Sequence, residues 1–223
     1  EVKNFDAAEA VGKKESKRLD RFSQFALACA DEAIKSSGLD LDNVDKNRIG
    51  VLVGSGIGGF STIETEITKM ATGSKRVSPF FIPMAISNMA AGNISIKYGL
   101  KGPSTAVVTA CATGTNGIGE AFRQIKHGYA DIMLAGGVEA PITKIGIEGF
   151  NSLIALNTSN DPKIASIPFD SERSGFVMGE GAGILVLESL ESAKKRNANI
   201  LAEIVGYGST CDAYHITSPD PDG

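Results

Sequence analysis

Apolar positions recur every three or four residues from Phe22 through Ala26, Cys29 and Ala33, and Gly38 follows as a stop. That spacing predicts a helix with one buried face. Arg48-Ile-Gly-Val-Leu-Val53 is a continuous apolar run that predicts a buried strand ending at glycines. Ser61 to Met70 has a helical pattern, and Val77 to Ile82 reads as extended, punctuated by Pro79 and Pro83. Ile86 to Tyr98 predicts an apolar helix stopped by Gly99. A β-rich run, Thr105 to Ala110, leads into Cys111, and Asn116 to Lys126 returns to helical spacing with Ile118, Phe122 and Ile125 inward. Asp131 to Ala135 is a short strand before Gly136-Gly137, and Ser152 to Asp170 is loop-rich. A strand at Gly183–Glu188, a helix at Ser189–Arg196 and a strand at Leu201–Tyr207 close the pattern. Strands alternating with helices predict an α/β fold, with a largely parallel sheet between helical layers.

Composition narrows the class. The 223 residues are 42% hydrophobic and 22% charged, as in soluble globular proteins, and can bury a sizeable core. The 26 glycines predict many tight turns and close backbone approaches. A net charge of −4 argues against general nucleic-acid binding. No apolar run is long enough to span a bilayer, and no signal peptide opens the chain. Three cysteines, Cys29, Cys111 and Cys211, form no disulfide or zinc pattern, which favours a reducing compartment. The chain opens in a polar stretch and stops in Ser218-Pro-Asp-Pro-Asp-Gly223, just after a new strand has begun. Both ends suggest a piece of a longer protein.

Several side chains carry candidate chemistry. Gly54-Ser-Gly-Ile-Gly-Gly59 matches G-x-G-x-x-G after a strand, but no second strand ends in an acidic residue at the right distance. A tight strand-to-helix turn explains those glycines better than a dinucleotide site. Cys111 stands between a strand and a helix start, where the helix dipole favours a thiolate. Ala110, Ala112 and Gly114 leave room for a substrate and for backbone N–H groups facing an oxyanion. A buried cysteine acting as a small hydrophobe fits the same residues, and this context alone leaves both roles open. Cys29 falls on a core face and reads as structural. Cys211 lies four residues before His215 without further ligands at metal spacing. Of the two histidines, His127 sits at a helix end, where it complements the dipole. His215, in a polar loop, tempts as a general base and equally as a solvated or gating residue. Lys13-Lys14-Glu-Ser-Lys17-Arg18 is a basic run that is either a solvated face or a dock for an acidic partner.

In sum these segments resemble the β-ketoacyl-[acyl-carrier-protein] synthases, the condensing enzymes of fatty-acid synthesis, most closely the type II synthases of dissociated bacterial or plastid systems. The resemblance rests on Gly54–Gly59, Pro79-Phe-Phe81, Asn88-Met-Ala-Ala-Gly92, Tyr98-Gly-Leu-Lys-Gly-Pro103, Thr109-Ala-Cys111-Ala-Thr-Gly114 and Ala135-Gly-Gly-Val-Glu139. It continues through Phe169-Asp170 with Arg173, Gly175-Phe-Val-Met-Gly-Glu-Gly-Ala-Gly183, and Asp212-Ala-Tyr-His215 with Thr217-Ser-Pro219, in family order across nearly the whole chain. One departure is Arg173-Ser174-Gly175, where the family usually has Asp in the middle.

The resemblance implies a thiolase-like fold of α-β-α-β-α layers, two similar halves each built on a five-stranded mixed sheet. Residues 1–200 would form the N-terminal half without its first strand, and residues 201–223 the start of the C-terminal half. It implies that Cys111 takes an acyl chain as a thioester and supplies an oxyanion-hole N–H. Malonyl-carrier protein would then lose carbon dioxide and condense with that chain. Ile86, Met89 and Phe150 would surround the acyl chain near a homodimer interface. Asp212, His215 and Thr217 would belong to a gating loop, so that His215 is not the base. Lys14, Lys17 and Arg18 would dock the acidic acyl carrier protein. No cofactor or metal is implied, and no nucleic-acid or membrane partner; the location would be a bacterial cytoplasm or a plastid. The family's catalytic histidines lie in H-G-T-S-T-P and G-H-x-x-G-A-A-G blocks that this sequence lacks, so this chain alone is expected not to condense. A polyketide-type ketosynthase is the alternative.

Overall fold

The computed structural model describes all 223 residues. After a short helix α1 (Ala7–Val11), Asp20 opens the long helix α2 (Arg21–Ser37) by accepting the Phe22 N–H. Gly38 closes α2 at φ 62°, the left-handed conformation that ends helices without a Cβ penalty. Phe22 and Ala26 are buried as the spacing predicts, Phe25, Ala30 and Ile34 complete the buried face, and Ala33 is only partly buried at its edge. Cys29 is half-buried beside that face, and burial pushes its thiol up, which suits a structural role.

Four strands make the sheet: β1 (Ile49–Gly54), β2 (Ser104–Thr105), β3 (Ile132–Glu139) and β4 (Gly181–Glu188). The order is β2-β1-β3-β4, with β1 parallel to β2 and β3, and β4 antiparallel on β3. Side-chain alternation divides the core. Ile49, Val51, Val53, Ile132 and Leu134 face α2 and helix α5 (Met89–Tyr98) in one cluster. Leu52, Met133 and Ala135 face helix α6 (Thr113–Lys126) in the other. The result is a helix–sheet–helix sandwich. Helices α3 (Phe60–Ala71), α4 (Phe81–Ala85), α7 (Lys144–Ser152) and α8 (Leu190–Lys195) fill the connections.

Four local expectations change. The run Thr105–Ala110 leaves the sheet after Thr105, continues without a ladder through Thr109 and enters a 3-10 turn at Ala110. Val77–Ile82 is not extended throughout, because Phe81–Ala85 turns into α4; Pro83 is tolerated there because the first-turn N–H groups have no intrahelical acceptor. Ile86 has extended backbone (φ −74°, ψ 136°), so α5 starts at Met89 rather than Ile86. Leu201–Tyr207 forms no strand: it crosses α6 through Tyr207 instead of lying beside the sheet, and an apolar run without a neighbouring strand has no ladder.

Candidate active site

Cys111 sits in a single 3-10 turn, Ala110–Ala112, that runs directly into α6. The thiol is exposed. Ala110, immediately before it, has φ 49°. A left-handed backbone at a residue other than glycine costs on the order of 1 kcal/mol and persists only where neighbours fix it. Two of the fixing contacts are local. The Thr109 N–H donates to Oγ1 of the buried Thr113 at 2.9 Å, and the Ala112 N–H donates to the Thr109 carbonyl at 3.0 Å. No side chain caps the start of α6. The first-turn N–H groups of α6 therefore follow directly after Cys111 without a side-chain partner, donors that could face a developing oxyanion.

The start of α6 is set by glycine-to-glycine contact with β3. A Cβ on Gly137 would lie 2.8 Å from the Gly114 Cα, so this approach admits hydrogen only. The glycine-rich turn after β1 abuts the same turn from the other side, its Gly56 facing the Ala110 carbonyl. Its N–H groups already hold an anion, the carboxylate of Glu139 at the end of β3. Ser55 Oγ donates to Glu139 at 2.6 Å, Gly56 N–H at 2.7 Å and Ile57 N–H at 3.4 Å, while Gly58 N–H donates back to Ser55 Oγ at 2.8 Å. An internal carboxylate occupies the donors that a dinucleotide pyrophosphate would need. Glu139 is a site residue that the sequence reading left inside a motif without a role.

The other candidate residues lie on other segments, with contacts of their own. The Met89 N–H donates to the Ile86 carbonyl at 3.2 Å, which keeps these two on one turn, with Ile86 exposed. Phe150, on α7, packs edge-on against Phe176 with centroids 5.2 Å apart. Asp212, His215 and Thr217 form one compact loop. His215 Nδ1 accepts the Thr217 and Ser218 N–H groups at 3.1 and 3.0 Å, and Asp212 accepts the Asp220 N–H at 3.1 Å. None of the three hydrogen-bonds the cysteine turn, and an Nδ1 already accepting two N–H bonds is no free base. Lys14, Lys17 and Arg18 lie exposed on a 3-10 turn, Glu15–Arg18, and its start, with Arg18 over the Phe80 ring at 5.0 Å. No helix is long and apolar enough to cross a membrane.

Comparison with known proteins bears on the family and the fold. The family model for the β-ketoacyl synthase N-terminal domain matches residues 1–193. A 3-oxoacyl-[acyl-carrier-protein] synthase 2 of Staphylococcus aureus is 57% identical over 224 aligned residues, covering 100% of this chain and 54% of that protein. A β-ketoacyl synthase structure from Burkholderia phymatum superposes with a TM-score of 0.89 at 35% identity, covering 98% of this chain and 54% of that one. A type II polyketide synthase acyl-carrier protein in complex with its ketosynthase, bound to the hexaketide, gives a TM-score of 0.77 at 28% identity, covering 92% of this chain and 57% of that one. The chain thus spans about half the length of the curated relatives it matches.

Proposed function

The chain belongs to the β-ketoacyl synthase family, and on that premise we propose that the whole protein is a 3-oxoacyl-[acyl-carrier-protein] synthase of fatty-acid elongation, with Cys111 as its nucleophile. The fold is that of the thiolase-like ketosynthases. Residues 1–200 are read as the N-terminal half and 201–223 as the start of the C-terminal half. This division is supported by the family match ending at 193 and by the last helix ending at Lys195.

The observation that carries the reading is an exposed cysteine on a strained turn at an uncapped helix start. In the proposed reaction the Cys111 thiolate attacks the carbonyl of an acyl thioester and expels the carrier thiolate. Malonyl-carrier protein then loses carbon dioxide, and the resulting carbanion attacks the Cys111 thioester. The carbon–sulfur bond breaks and returns the thiolate, leaving a β-ketoacyl-carrier product two carbons longer. Binding of acyl carrier protein at Lys14, Lys17 and Arg18, an acyl pocket at Ile86, Met89 and Phe150, a gate at Asp212, His215 and Thr217, and a homodimer belong to the same proposal. So does a bacterial cytoplasmic setting, supported by the bacterial source of the relatives, with a plastid as the other candidate.

In the whole protein, incubation with an acyl donor should add the acyl mass at Cys111, and Cys111→Ala should abolish both the adduct and condensation. Condensation surviving that change would exclude the assignment. The polyketide structure favours a second reading, a ketosynthase that extends a β-keto chain repeatedly. A single two-carbon extension per turnover separates the first reading from the second.

A further inference from the structure

Tyr207 reaches the cysteine turn through a chain of polar contacts. The Thr109 hydroxyl donates to Asn116 Oδ1 at 2.9 Å, and Asn116 Nδ2 donates to the Tyr207 hydroxyl oxygen at 2.5 Å and to Ser209 Oγ at 3.4 Å. The Tyr207 ring lies on a bare patch of α6 at Gly119, where a Cβ would overlap it. The Arg123 guanidinium covers the ring, 4.8 Å from its centroid. Tyr207 is half-buried, whereas Leu201 and Val205 of the same segment are 90% and 84% exposed. One ring therefore anchors this stretch to the cysteine helix. Thr109 is held at both of its donors, backbone N–H to Thr113 and hydroxyl to Asn116, and it directly precedes the left-handed Ala110.

We propose that Asn116 and Tyr207 are positioning residues for Cys111. The Tyr207 hydroxyl orients the Asn116 amide, the amide oxygen holds Thr109, and the held Thr109 maintains the left-handed Ala110 that aims the thiol. Tyr207 also opens the segment that runs on through Asp212, His215 and Thr217, so the contact ties the thiol's geometry to that loop. The proposal rests on the reading of Cys111 as the acyl acceptor.

The test uses the whole protein and two readouts at Cys111, located by peptide mapping: the acylation rate from an acyl donor and the alkylation rate with iodoacetamide. Tyr207→Phe keeps the ring and removes only the hydroxyl. It should slow both rates roughly three- to tenfold, as loss of one part-buried side-chain hydrogen bond does, with KM for the donor unchanged. Gly119→Ala lifts the ring off α6 and should produce the same slowing from a different residue. The double variant Asn116→Ala/Tyr207→Phe should lose no more than Asn116→Ala alone, because both act through one contact. A wild-type protein that alkylates at Cys111 but takes no acyl group overturns the acyl-acceptor reading and leaves the alkylation rates to decide on the pair. Equal rates in wild type and Tyr207→Phe overturn the pair.

Discussion

At the scale of single residues, two carboxylates hold segments together: the half-buried Glu139 at the cysteine turn and the buried Asp20 between α2 and α3. Glu139 accepts from Ser55, Gly56 and Ile57 and so fixes the glycine-rich turn against Ala110, the residue before Cys111. In Glu139→Gln one acceptor becomes an NH2 that faces a donor. That change should cost about 1–3 kcal/mol, measured by urea unfolding, and should slow Cys111 acylation. Unchanged stability would mean the turn holds its shape without the carboxylate. Asp20 is 2% exposed and accepts the Thr62 N–H and hydroxyl at 2.8 and 2.6 Å. Burial pushes its carboxyl up, against the opposing pull of the Thr62 and Phe22 hydrogen bonds. The folded state then binds the proton more tightly than the unfolded chain does. The stabilisation is fully present below the ordinary aspartate value of about 3.9 and is lost as pH rises through the raised native value. Measured against the non-titrating Asp20→Asn variant, wild type should lose stability as pH climbs from about 4 toward neutrality. A gap that widens in favour of wild type over that range would reverse the assignment.

At the scale of elements, the seat of α6 on β3 decides where the thiol lies. Gly137→Ala would drive a Cβ to 2.8 Å from the Gly114 Cα and 3.2 Å from its nitrogen. Both are backbone atoms, so the helix start must move. The expected cost is about 1–3 kcal/mol, with a slower Cys111 acylation rate even where the fold survives. Periodicity exposes the elements that carry such seats: α2, β1 and the body of α6 lie where the apolar pattern puts them. On α6, though, Ile118 and Ile125 are only partly buried and Phe122 stays outside the cluster, while β3 runs on through Gly136-Gly137 to Glu139 rather than stopping at Ala135. Elements without that signal were not legible. Helix α7 carries Gly146 and Gly149, which weaken its pattern, and it is stabilised instead by Thr143 Oγ1 accepting the Gly146 N–H at 3.1 Å. Residues 201–207 have strand composition but no strand partner. The site divides the same way. Cys111 stands out in the sequence ahead of a helix start, although the strand expected up to it ends at Thr105. The Glu139 clamp, by contrast, spans 83 residues to Gly56 and exists only once β1 and β3 pair with Gly54 opposite Gly137.

At the scale of the molecule, the proposed nucleophile stands without a base in this chain. The chain has two histidines. His127 ends α6, and the fourteen residues Thr113–Lys126 separate it from the cysteine turn; at about 1.5 Å per residue that is roughly 20 Å. His215 has its Nδ1 committed to two backbone N–H groups of its own loop. Decarboxylating a malonyl thioester leaves a carbanion that needs stabilisation near the sulfur, and neither imidazole is placed to give it. The segment after α8 also leaves Leu201, Val205 and Ile216 at 90%, 84% and 94% exposure, apolar side chains that need a covering surface. The 223-residue chain should therefore take an acyl group at Cys111 at most, and release no β-ketoacyl product with malonyl-carrier protein. The whole protein should do both under the same conditions. Intact mass for the adduct and chromatography of the released thioesters separate the two steps. Ketoacyl product from this chain alone would mean that the turn around Cys111 carries condensation without a histidine.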